Sequence, residues 1–251
     1  MRLPDPVFPP LLASHPVEAA RKPFEEACHR AGRRELGAGD LVWSRDTARA
    51  ECAIILEPDV PLRRALQMGP LVQVALAECL GALLPPRMGV HFRWPGTLLL
   101  NGAKAGETWI RGAPARRDEV PEWLVAGFSL WLTHDFGGLE PGEALGETSL
   151  AEEGAGELTR TDILQSFAAH FLTWLNTWHD DGFRPVRESW LTRAEGREAP
   201  AEITHGTERI YARVLGLDEE AGLVVEPEAG DARVLSLLDV LEGWARTQEA
   251  P

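Results

Sequence analysis

Lysine is nearly absent from this 251-residue sequence. Of 25 basic side chains only Lys22 and Lys104 are lysines, and the rest are arginine. In such a chain each Lys raises the question of what the planar guanidinium of Arg could not do there. Positive charge is also scarce against negative. Asp plus Glu number 39, for a formal charge of −14, which argues against nonspecific attraction to nucleic acid or anionic lipid. Cysteine is confined to Cys28, Cys52 and Cys79, an odd number with no Cys-x-x-Cys pair, so a disulfide framework is not expected and a reducing cytoplasm fits. No apolar run approaches the ~20 residues that a membrane span requires. The opening MRLPDPVFPPLL is broken by Pro4, Pro6, Pro9 and Pro10 and reads as an extended arm, not a signal peptide. There is no internal repeat, no Gly-x-Ser-x-Gly elbow, no Walker loop and no helix-turn-helix ahead of the first strands. Metal spacings of the His-x-x-x-His kind are missing. His170 and His179 lie nine apart, on roughly opposite sides of one helix, so no metal site is expected.

What is present suffices for a core without staples, since 44% of the residues are hydrophobic and a chain this long buries roughly 70% of its unfolded surface. Residues 23–32 open with Pro and acids and end on Gly, a short helix. LVWS and ECAIILE read as strands, the second apolar enough to be covered on both faces. Residues 61–84 take helical period, with a kink or break expected at Gly69-Pro70. Strands follow at 89–94, 97–102, 105–112 and 122–132, with Asn101-Gly102 as a tight hairpin turn. Residues 133–156 read as a long surface loop. The strongest helix spans 159–181, opened by Thr159 with Asp162 three residues on, and a second covers 185–194. After a polar hinge at 195–202, short strands suggest a small barrel with its own core. The expected division is 1–198 and 199–251. Trp174, Trp178 and Trp190 fall at helical core spacing, whereas Trp43, Trp109, Trp123 and Trp131 on strands suit either core or a pocket for an apolar acid.

The chemistry concentrates in RWPGTLLLNGAKAG. A strand ends at Trp94-Pro95, the next turns back at Asn101-Gly102, and Lys104 follows, with Gly106 allowing close backbone approach. A Lys there serves as a point charge over a carboxylate or phosphate, or stands as a solvent-side hairpin residue.

This segment resembles the biotin protein ligases and, more broadly, the biotin and lipoate protein ligases. Arg93, Trp94 and Pro95 match the family's basic residue and Trp-Pro, and Lys104 with Gly106 match its Lys and glycine. Gly127 and Ser129 stand where a Gly-x-Gly-x-Asn strand follows, and GLDEEAGLVVE is similar to a hairpin of the C-terminal barrel. The resemblance implies an α/β fold, a mixed sheet flanked by helices, then a small SH3-like β-barrel. It also implies ATP and Mg²⁺ as cofactors and biotin or lipoate as the substrate, a carboxylic acid joined to AMP and passed to a carrier-protein lysine. Lys104 would hold the carboxylate and phosphate. Trp94, Pro95, Gly106, Gly127 and Ser129 would line the acid's pocket, and Arg93, Arg45 and Arg49 are the nucleotide-binding candidates.

The sequence departs from the pattern in three places. The Gly-Arg-Gly-Arg loop is replaced by GAGDLVWSRDTARAE, the Asn-Asp after Trp-Pro by Gly96-Thr97, and Ser14-His15-Pro16 is the nearest substitute for a Ser-Thr-Asn motif. Losing several electrostatic donors, each typically about 2.7 to 4 kcal/mol of rate, leaves two alternatives open beside the ligase. One is an ATP-independent acyl transferase, the other a noncatalytic binder or scaffold. An acidic carrier domain would dock on a basic patch, for which Arg111, Arg116 and Arg117 are the candidates. The oligomeric state is left open.

Overall fold

The computed structural model describes residues 3–134, 146–206 and 208–241. Its main sheet has seven strands: β1 (Ala13–Val17), β2 (Asp40–Ser44), β3 (Arg49–Leu56), β4 (Val90–Arg93), β5 (Thr97–Leu100), β6 (Ala103–Gly112) and β7 (Leu124–Trp131). They lie in the order β1-β2-β3-β7-β6-β5-β4. The β1–β2 pair is parallel and every other pairing antiparallel, so the sheet is mixed, as expected. The proline-rich arm thus leads into an edge strand. Trp43 Nε1 donates to Ser14 Oγ at 2.9 Å and His15 Nε2 lies 2.6 Å from Asp40 Oδ1, side-chain ties between the two strands.

Both faces of the sheet are covered. Helix α1 (Pro23–Gly32) lies on one, where Phe24, Ala27, Cys28 and Ala31 pack on Val42, Ala53, Ile55 and Val125. The other carries α2 (Leu62–Ala65), α3 (Met68–Leu83), α4 (Arg160–Asp181) and α5 (Arg184–Thr192). Strand β3 is therefore buried on both sides, and its unbroken apolar run follows from that. The expected break in the 61–84 helix falls earlier than Gly69-Pro70. The turn is made at Leu66-Gln67, and Pro70 sits in the first turn of α3, where a missing N–H costs nothing. By length and composition Leu62–Leu83 could cross a membrane, contrary to expectation, but 72% of the stretch is buried inside the protein, as in a core helix. Thr159 and Asp162 complete a capping box that opens α4, and Gly182 ends it.

The C-terminal part is a four-stranded antiparallel sheet, β11 (Arg233–Leu235), β10 (Leu223–Pro227), β9 (Glu208–Leu217) and β8 (Ala201–His205), in that order. Strand β8 begins inside the stretch expected to be a polar hinge. The sheet does not have a core of its own: Ile203, Ala212, Val214, Leu223 and Val225 are continuous with the main core. Trp94 helps to join the two, stacking on His205 at 6.2 Å and donating from Nε1 to Ala221 O at 3.4 Å. Of the long loop expected at 133–156, residues 135–145 lie outside the described residues. Its far end returns to the sheet, where Lys104 N donates to Gly146 O and Thr148 N to Lys104 O, at 2.9 and 2.8 Å.

Candidate functional site

A cavity of about 830 Å³ opens along β6, where β5 pairs with it only as far as Thr97 opposite Glu107. Its walls include Phe24, Glu51, Pro95, Gly96, Glu107 and Trp109. The antiparallel register of β3, β7 and β6 lays the α1-side face of the sheet out in cross-strand rows. Arg49 stands opposite Trp131, then Glu51 opposite Ser129 opposite Glu107, then Ala53 opposite Gly127 opposite Trp109. Successive rows on one face are about 7 Å apart, two residues of strand rise.

Lys104 joins this face through an irregularity. In a plain strand, residues 104 and 107 would point to opposite sides. Between Leu98 and Leu99 the β5–β6 register shifts, so that Leu98 faces Gly106 while Leu99 faces Lys104. Ala105 is the extra residue of a bulge and is buried in the main core. Lys104 consequently reaches the same face as Glu107, and its ammonium is held by the Glu107 carboxylate. Lys104 Nζ also lies 5.8 Å from the Trp131 ring centroid, and the Arg49 guanidinium lies 6.0 Å from it. His134 stacks on the same indole at 4.2 Å. Two cations thus converge on Trp131, next to the carboxylate row.

Gly127 stands between Ala53 and Trp109 in their cross-strand row. A Cβ there would overlap the Cys52 carbonyl oxygen and come within 2.9 Å of Ala53 Cα, so the close approach of β3 and β7 requires glycine. Gly106 is held likewise by Ser129 O and Leu130 Cα.

Pro95 and Gly96 are fixed from behind by Gln73 of α3, which is 1% exposed. Its Nε2 donates to Pro95 O at 2.8 Å and to Thr108 Oγ1 at 3.0 Å, while its Oε1 accepts from Trp190 Nε1. Thr108 N in turn donates to Gly96 O at 2.7 Å. Sequence reasoning passed over Gln73, whose signal is a polar residue within an otherwise apolar helix.

The other expected residues are dispersed. Arg45 makes two bonds to Asp5, at 2.5 and 2.7 Å, and Arg93 two to Glu195, at 2.5 and 2.9 Å. Neither borders the cavity, and Trp94 faces the small sheet. The candidate basic patch is ion-paired throughout: Arg111 with Glu25, Arg116 with Glu119, Arg117 with Glu220. Burial pushes the Cys28 and Cys79 thiols up to about 12 and Cys52 well above its ordinary value, so all three are inert packing groups. Among the described residues no group of three or more His, Cys, Asp or Glu could hold a metal ion.

Glu51 is the unexpected member of the site. It is 8% exposed, and burial raises its carboxyl to about 7, against lowering by Arg49. The folded state therefore holds this proton more tightly than the unfolded chain does. Its stabilisation is present below the unfolded value of 4.5 and is lost as pH rises through 7, a loss of about 3 kcal/mol. Urea unfolding at pH 5 and pH 8 should show this slope in the native protein and a flatter one in Glu51→Gln. Parallel slopes would exclude it.

The model of the Biotin/lipoate A/B protein ligase family matches residues 8–192. The chain belongs to that family. Among curated members of the family, a biotin–[acetyl-CoA-carboxylase] ligase from Paracoccus denitrificans is 25% identical over 188 residues, 75% of this chain and 78% of the ligase. The bifunctional ligase/repressor BirA of Bacillus subtilis is 24% identical over 216 residues, 82% of this chain but only 63% of BirA. Of solved structures, a biotin protein ligase-like protein of unknown function from Silicibacter sp. TM1040 superposes with a TM-score of 0.82 at 32% identity, covering 94% of this chain and 98% of that one. The Aquifex aeolicus biotin protein ligase in complex with biotin and ATP gives 0.67 at 13% identity, over 88% and 96%, a likeness of fold.

Proposed function

We propose that this family member binds a small carboxylic acid of the biotin or lipoate kind in the β6 cavity, activates it with ATP, and passes the acyl group to a lysine of a carrier protein. The convergence of Lys104 and Arg49 on Trp131 carries this reading. Both steps build negative charge on carboxylate and phosphate oxygens, and two cations gathered on Trp131, one of them held by the cavity-lining Glu107, stabilise such charge beside that end of the cavity. Held by Glu107, the Lys104 ammonium has further N–H donors to give. The walls of Phe24, Pro95, Gly96 and Trp109 suit an apolar acid body.

Arg49 is the arginine offered to a phosphate, since Arg45 and Arg93 are occupied by carboxylates. Mg²⁺ would enter bound to the nucleotide's phosphates and to water, in keeping with that ion's habits. The free, buried cysteines agree with a cytoplasmic location.

Calorimetric titration with biotin, lipoate and octanoate, each with and without Mg-ATP, tests the reading, with pyrophosphate release as the second readout. The expected result is acid binding together with acid-dependent pyrophosphate release. Acid binding without pyrophosphate would remove the ATP step and favour direct acyl transfer, and absence of acid binding would remove the whole reading.

A further inference from the structure

The Glu51–Ser129–Glu107 row holds more acceptor capacity than an apolar acid can use. Glu51 lines the cavity, is nine-tenths buried, and among the described residues its carboxyl has no hydrogen-bond or ion-pair partner. Directly opposite it on β7, Ser129 is 4% exposed, and its buried Oγ also lacks a partner. Polar groups this deep are nearly always satisfied, and a carboxyl left alone in an apolar wall is costly. On the far side of Ser129, Glu107 is already taken by Lys104.

The charges facing Glu51 do not resolve the imbalance. Arg49 stands one row along β3 and turns to Trp131, Asp46 adds a like charge from the β2–β3 turn, and Lys22 lines the cavity from the start of α1, exposed and unpaired with Glu51. One unmatched acceptor site therefore faces the cavity. It stands between the cations at Trp131 and the aromatic wall of Trp109 and Phe24, whose rings lie 5.8 Å apart.

We infer that the cavity's ligand is a zwitterion, a carboxylic acid that carries an ammonium group close to its carboxylate, with the ammonium seated on Glu51. This rests on the preceding reading that a small acid binds here with its carboxylate toward Lys104 and Arg49. Adjacent rows about 7 Å apart put the two charged ends of the ligand within a few bonds of each other and leave its apolar body against Trp109 and Phe24. An ammonium supplies the countercharge that Glu51 lacks, and the Trp109 indole on the same wall attracts the same cation. Octanoate offers neither and leaves the Glu51 carboxyl without a partner.

Three probes of one chain length separate the possibilities: octanoate, 2-aminooctanoate and 8-aminooctanoate, titrated calorimetrically into the full chain. In the native protein 2-aminooctanoate is expected to bind at least about 10-fold more tightly than octanoate, the scale of one charge-assisted contact in a desolvated site, with no gain for 8-aminooctanoate. In Glu51→Gln the ratio of the first two should fall below about 3-fold, because a neutral amide cannot match the ammonium's charge. The native ratio does not depend on how well the variant folds, and a melting curve checks the variant. If octanoate binds with Lys104 dependence and 2-aminooctanoate binds no better, the zwitterion falls and the acid reading stands. If neither probe binds, both fall. An unchanged ratio in Glu51→Gln would remove the role given to that residue.

Discussion

Replacing Lys104 by Met should weaken acid binding by about 10- to 100-fold, the scale of one charge-assisted hydrogen bond, and slow any acyl activation that follows it by about 100- to 1,000-fold, the loss typical of removing one preorganised electrostatic donor. Met keeps the apolar stem that crosses the sheet face, so lost packing contributes little. Removing the ammonium takes a cation from beside Trp131 and also strands Glu107, whose carboxylate then faces the cavity with no partner and repels the ligand's own carboxylate. The two contributions separate in the double variant Lys104→Met/Glu107→Gln. It should recover part of the loss, because the neutral amide removes the repulsion without restoring the cation. Acid affinity in Lys104→Met within about 2-fold of the native value, against the loss expected of such a donor, would show that Lys104 is a surface partner of Glu107 and nothing more.

The second large effect is on stability. Gln73→Ala should cost about 3 to 5 kcal/mol, because it removes three buried hydrogen bonds and leaves the Trp190 indole N–H unpaired in the core. Urea denaturation measures the loss directly. Gln73→Met, which fills nearly the same volume, should recover the cavity part of the deficit while the unpaired Trp190 N–H and Pro95 carbonyl keep most of it. A cost below about 1 kcal/mol would mean that water replaces the amide, since a satisfied group carries no such penalty. Because Gln73 fixes Pro95 and Gly96, the same variant should also loosen acid binding.

Local signals in the sequence translate into structure almost directly. Asn101 and Gly102 both take positive φ and close the β5–β6 hairpin, Thr159 and Asp162 cap α4, and the α1 boundaries fall at Pro23 and Gly32. The misread segments are those whose pairing partner supplies the order. Strand β1 contains Pro16 and is an edge, so its sequence lacks the β-branched run of a central strand, and β8 hides in a polar stretch because only Ile203 on its inner side is deeply buried. The small sheet reads as autonomous because its own strands alternate cleanly, while the side chains that fuse it to the main core lie far away in sequence.

The site was legible as a segment but not as a surface. The motif nominates Lys104, Pro95, Gly127 and Ser129, and position nominates Arg49; register then sets Lys104, Arg49, Gly127 and Ser129 on one face of the sheet. Glu51 looked like the polar start of a buried strand, and nothing local distinguishes it from a solvated strand end. Its significance depends on register, which puts it across from Ser129 and Glu107, residues 78 and 56 positions away in the chain. The opposite error has the same origin. Arg45 and Arg93 are basic and near the right motifs, yet Asp5 and Glu195, remote in sequence, occupy them.

The bulge at Ala105 makes this surface tolerant of one change in chain length and intolerant of another. It crowds two consecutive residues against the core side, which accounts for the two smallest side chains, Ala105 and Gly106, following Lys104. Deleting Ala105 would leave Lys104 and Glu107 on one face by simple alternation, so a shortened hairpin keeps its ammonium at the cavity. A residue added before Glu107 while the bulge is kept would turn Lys104 into the apolar core. The quantity that matters at this hairpin is thus the side of the sheet the lysine occupies, and its distance in sequence from the glycine is secondary.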